Sequence, residues 1–153
     1  MDKNRILIKL SASANTSFQK IDFFAQSMPQ RVFSAVWAVE AEVNNGGFSQ
    51  FFCNSSCETA GFVAEALEMI GAPETAEICR RAIAVAFPGG LPSDPETIRS
   101  AAANFSDKIE GELNALDVEF YQYPHDLTEL LFAYVSMHPE EFGPLSEPDN
   151  AKS

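Results

Sequence analysis

A chain of 153 residues, 46% of them hydrophobic, has the size and apolar content of one compact domain. Its 22 Asp and Glu against 10 Lys and Arg leave a formal net charge of -12, which excludes direct binding of nucleic acid or an anionic membrane and favours basic partners. Three cysteines, Cys53, Cys57 and Cys79, form no disulfide framework, and no segment is apolar over the length of a membrane span, so a cytoplasmic protein is expected.

The first 16 residues give no clear assignment. Residues 1–14 imitate a secretion signal, but Lys9 breaks the short apolar run. Phe18, Ile21, Phe24, Ala25 and Met28 recur at helical spacing up to Pro29. A central helix over about 30–43 follows, with Val32, Val36, Val39 and Val43 as its apolar stripe, widened by Phe33 and Trp37. Asn44-Asn45-Gly46-Gly47 ends it, and Phe48, Phe51 and Phe52 then share one face of a short aromatic helix.

Ser55 with Glu58 reads as a capping box for a helix through Ala60, Val63, Leu67 and Ile70. Gly71-Ala72-Pro73 is a tight link, which predicts a helical hairpin with the stretch from Pro73 to Phe87. After the break at 88–92, Asp94 and Pro95 open what reads as the longest helix, with one stripe from Ile98 through Phe105 to Leu116. Asp126 with Glu129 caps a last helix that ends before Pro139. The fold class is therefore all-α: a compact single-domain bundle of about six to seven helices over 1–139, with a loose C-terminal tail over 140–153.

Charge is distributed unevenly. Residues 109–151 carry ten acidic residues and no basic one. Glu65, Glu68, Glu74, Glu77, Glu96, Asp107, Glu110, Asp117 and Glu119 fall largely off the apolar stripes and read as one exposed acidic face. Pairs three apart, such as Glu65 with Glu68, bring like charges to about 5 to 6 Å at the side-chain bases. Because they lack interleaved Lys, they differ from the mixed-sign surface of an ordinary helical domain.

The run Glu42-Val43-Asn44-Asn45-Gly46-Gly47-Phe48-Ser49-Gln50-Phe51-Phe52, with Asn54 just beyond, resembles the signature of a bacterial domain family of largely unknown function. The best-known branch of that family is the DNA-mimic protein family, small acidic helical proteins that display carboxylates in place of DNA phosphates. The motif residues Glu42, Asn44, Asn45, Gly46, Gly47, Phe48, Gln50, Phe51, Phe52 and Asn54 read as structural, being what a helix end, a tight turn and an aromatic plug require. The resemblance implies that the acidic residues outside the motif occupy a basic DNA-binding protein, such as a transcription regulator, and that the chain forms a homodimer.

Catalysis has little support. The three cysteines, His125 and His138 form no CxxC or HxxxH pair, so neither a metal nor another cofactor is expected. Pro88-Gly89-Gly90 lacks the context of a phosphate loop. Glu40 and Glu42 beside the Asn-Gly turn are the carboxylates to watch, more as acceptors for turn amides than as acid or base. Two alternatives remain open beside DNA mimicry: an immunity-type inhibitor of a basic toxin, and an enzyme or small-ligand binder with a pocket at Glu40, Glu42 or the cysteines.

Overall fold

The computed structural model describes residues 2–12 and 17–143, and among them there are eight α-helices and no strand. The expected all-α bundle is observed. No helix is long and apolar enough to cross a membrane. Residues 144–153, most of the expected tail, lie outside the described residues.

Helix α1 (Lys3–Ser11), in a stretch the pattern left unassigned, is capped by the Asp2 side chain, which accepts from the Arg5 N–H. It buries Ile6, Leu7 and Leu10 and packs on the last long helix. The apolar spacing over 18–28 forms two 3-10 turns, Ser17–Lys20 and Phe23–Ala25, rather than an α-helix. Pro29 starts the following helix instead of stopping the preceding one. Ser27 and Gln30 close a reciprocal capping box there, and Pro is tolerated in a first turn whose N–H groups have no intrahelical acceptor.

Helix α2 (Met28–Cys53) is the axis of the molecule, and its continuity is interrupted only at Gly46 and Gly47, whose dihedrals are non-helical. The Val stripe is completely buried, each side chain contributing roughly 1.5 to 3 kcal/mol of burial. Around α2 pack α3 (Val63–Met69), α5 (Pro95–Ala102), α6 (Asp107–Tyr121), α7 (Leu127–Ser136) and the single turn α8 (Pro139–Phe142), while α4 (Pro73–Ala86) packs on α3 and α6. The hairpin of α3 and α4 forms across the Gly71 link, where φ is +93°. Ser55–Thr59 is a 3-10 turn, so the expected capping box at Ser55 and Glu58 does not open α3.

Two further expectations give way. The longest predicted helix is two helices, because the chain turns at 103–106 to insert Phe105 beside Phe52 and Phe87, and Ser106 caps a fresh start by accepting from the Ile109 N–H. The tail does not begin at 140: Phe142 is buried, with its ring 5.3 Å from Phe18 and 5.9 Å from Phe33. Glu141 accepts from the Ser27 hydroxyl at 2.7 Å, which ties this end to the start of α2.

Candidate functional site: the two-glycine joint and the acidic helices

At the joint in α2, Gly47 has φ +80° and ψ -180°, a region that is essentially glycine-only. Leaving the helix there deprives the Phe48 N–H of its helical acceptor, and Asp117 of α6 supplies one, Oδ1 accepting at 2.8 Å. A Cβ on Gly47 would lie 2.3 Å from Asp117 Oδ2, and one on Gly46 2.0 Å from Gln50 Oε1. Gly47 is thus required by backbone shape as well as by close approach, and Gly46 by close approach of the Gln50 side chain.

The rest of the motif braces this joint. Glu42 accepts from Gln50 Nε2 at 2.6 Å and Asn54 Nδ2 at 3.0 Å, spanning the break from one half of α2 to the other. Asn44 donates to Tyr123 Oη at 2.5 Å, and that hydroxyl donates to Glu40 Oε2 at 2.9 Å. Tyr121 donates to the Val43 carbonyl at 2.7 Å. Phe48, Phe51 and Phe52 point into the core. These motif residues therefore span the joint and fill the core beneath it. The acceptor for a turn amide is Asp117, however, while Glu40 and Glu42 receive side-chain donors.

Asp117 must accordingly be removed from the acidic face, since it is only 9% exposed. Burial raises its carboxyl above the usual carboxylate range; the Phe48 N–H pulls it back down and Glu110 adds to the rise. The fold therefore favours the protonated form. That contribution is complete below the unfolded pKa of about 3.9 and is lost as pH rises through the higher folded value. Asp117→Asn, which keeps an acceptor oxygen, should match or exceed wild-type stability at neutral pH and lose any advantage below about pH 4. Asp117→Leu strands the Phe48 N–H and should lose about 1 to 3 kcal/mol. Melting temperature against pH for both variants checks this, and equal losses in the two would refute it.

The remaining acids divide by helix. Glu110, half-buried, faces the joint and accepts from the Ser49 hydroxyl at 2.5 Å. Glu119, about two and a half turns further along α6, lies on the opposite side, in an ion pair with Arg81 of α4. Glu68 is 2.5 Å and Glu77 3.6 Å from Arg80, Glu96 is 3.4 Å from Arg99, and Glu74 is 2.5 Å from His125 Nε2. Glu65 and Asp107 are exposed, with no ion pair among the described residues. The expectation of acids without compensating cations therefore fails for Glu68, Glu77, Glu96 and Glu119. The signal was in the spacing: Arg80 lies three after Glu77 and Arg99 three after Glu96.

What the fold does assemble is a groove of about 440 Å³ between α4 and the end of α6, where Glu74, Glu77 and Glu119 line the walls with Arg81 and Ile78. A polar cleft of about 420 Å³ beside the first half of α2 brings Asp22, Glu42 and Glu58 together with Lys20. Burial, then Asp22, raises the Glu58 carboxyl. Sequence patterning singled out neither Asp22 nor Glu58 as a site residue, reading Glu58 only as a helix cap, because they belong to different short turns. Glu40 lies apart from Glu42, in a smaller pocket beside Trp37.

No cysteine lines either glutamate pocket. Cys57 is buried against the Pro95 carbonyl and near Arg99, and burial pushes the Cys79 thiol up to about 12. Among the described residues no group of three or more His, Cys, Asp or Glu converges on a metal-sized space. Residues 25–138 match a protein-family model described as DMP19-like protein. No curated protein and no solved structure matches the chain significantly.

Proposed function

The chain belongs to the DMP19-like family, and we propose that it mimics DNA phosphates to occupy a basic DNA-binding protein, such as a transcription regulator. DMP19 is a DNA-mimic protein family and is not a known enzyme family. The observation that carries the reading is the α3–α4 hairpin, which holds Glu65, Glu68, Glu74 and Glu77 exposed on a rigid frame, with Arg80 and Arg81 as its only cations. The three-residue spacing within each pair is a rise of about 4.5 Å, of the same order as the one charge per about 3.4 Å of axis along a DNA strand. Carboxylates held on packed helices meet a guanidinium with defined geometry, but they carry no base edges. Such a surface competes for a basic groove and leaves sequence reading aside.

Replacing Glu65, Glu74 and Glu77 together by Lys should leave the fold intact, because all three are exposed. Exposed ion pairs contribute about 0 to 1 kcal/mol each, so the triple variant should weaken partner binding by roughly tenfold or more. The check is affinity chromatography of host lysate on wild-type and variant protein, with elution by duplex DNA and by salt. DNA-binding proteins retained by wild type, displaced by DNA and lost from the variant are expected. Retention that DNA does not displace, or that the variant preserves, would overturn the mimic reading.

A further inference from the structure

Between α1 and the first half of α2 lies a pocket of about 240 Å³, walled by Trp37, Ala41, Ile8 and Asn4, with Glu40 and Asn44 at its polar side. It shares no lining residue with the α4–α6 groove. Its α1 wall also lies outside residues 25–138, which the family model matches.

Three features define what this pocket can hold. Phe33 stacks nearly parallel to the Trp37 indole, with centroids 5.8 Å apart and 10° between planes, which fixes the ring as a flat wall. Ile8, 48% exposed, leaves an apolar surface open opposite it. The third is a carboxylate in one orientation: Oε2 of Glu40 is taken by Tyr123, while Oε1 accepts no hydrogen bond among the described residues. Tyr123, which makes that contact, has a positive φ of +49°, a conformation that is costly for a large L-residue. Among the described residues no Lys or Arg forms an ion pair with Glu40, and Asp126 adds a like charge to its surroundings.

We infer that this pocket binds an alkylguanidinium group, as an arginine side chain carries. The aliphatic stem lies against Ile8 and Ala41, and the planar cation stacks on the indole and donates to Glu40 Oε1. A flat aromatic wall, an apolar strip and one unshared carboxylate oxygen match a guanidinium better than an ammonium, which is compact and strongly hydrated. An anion would meet Glu40, and a neutral apolar group would leave that carboxylate less solvated without a partner.

Trp37 is the sole tryptophan of the chain, so its emission reports this pocket alone. The full chain is titrated with N-acetyl-arginine methylamide and with its lysine and citrulline counterparts, citrulline having nearly the same shape without the charge. Binding is followed by Trp emission and by calorimetry up to the concentration at which circular dichroism begins to change. A saturable emission shift with the arginine probe is expected, with citrulline at least tenfold weaker and lysine intermediate. Glu40→Gln should weaken the arginine probe at least fivefold. Trp37→Ala, read by calorimetry, should do the same, while Glu77→Gln in the other groove leaves it unchanged. A Gly-Arg-Gly peptide that binds more tightly than the single-residue probe marks a protein segment as the source, and weaker binding marks a free guanidine compound; either supports the assignment. Citrulline binding as well as arginine, Glu40→Gln binding as wild type, or no saturable shift would overturn it. None of these results bears on capture of a DNA-binding partner, which is tested at Glu65, Glu74 and Glu77.

Discussion

Phe52→Ala is expected to destabilise the domain by about 3 to 5 kcal/mol, read as a fall in the urea midpoint with an unchanged slope. The ring is fully buried and centres an aromatic cluster: its centroid is 5.3 Å from Phe87, 5.4 Å from Phe51, 6.3 Å from Phe105 and 6.4 Å from Phe48. Those neighbours come from α2, from the end of α4 and from the 103–106 connection. No single movement can close the space left behind, and the cavity contribution to the loss should be nearly complete. Phe24, 59% exposed, is the internal control; its replacement by Ala should change stability by about 0.5 kcal/mol or less. Similar losses at the two positions would contradict the burial pattern.

Gly47→Ala should be nearly as damaging, at about 3 kcal/mol or more, from two sources. A residue with a Cβ held in this backbone region costs about 1 to 3 kcal/mol. The methyl would also collide with the Asp117 carboxylate, and displacing that group leaves the buried Phe48 N–H without an acceptor, at about another 1 to 3 kcal/mol. Gly111 is the opposite case, helical and with nothing within 4 Å of an added Cβ. Gly111→Ala should be neutral or stabilise by up to about 1 kcal/mol. Denaturant titration of both variants separates conformational requirement from mere glycine content, and a Gly47→Ala protein within 1 kcal/mol of wild type would refute the account.

The fold was legible where local pattern and tertiary role coincide. The Val stripe from Val32 to Val43 is both helically periodic and central, and Asp126 caps α7 by accepting from Glu129 N–H. The pattern misled where periodicity runs through a break: Ile98, Phe105 and Leu116 keep phase, although Phe105 is a loop residue turned inward. It misled again at 18–28, where apolar residues serve two tight turns. The exposure of Glu65, Glu68, Glu74 and Glu77 on the α3–α4 hairpin was legible, whereas the placement of the α6 acids was not. Asp117 and Glu119 look alike in sequence, yet one faces an unpaired amide on α2 and the other an arginine on α4. Which neighbour each meets depends on helix packing, and spacing along α6 carries no trace of it.

The clasp at the two-glycine joint also bears on the order in which the protein matures. Phe48 and Asp117 are 69 residues apart in sequence, so during synthesis both halves of α2 leave the ribosome long before the carboxylate that fixes their angle. Until α6 arrives, the joint is free to swing and the Phe48 ring lacks Phe120, which meets it edge-on at 5.9 Å. A nascent chain that stops short of α6 therefore carries this aromatic segment incompletely covered, and it is at that length that a chaperone would be needed most.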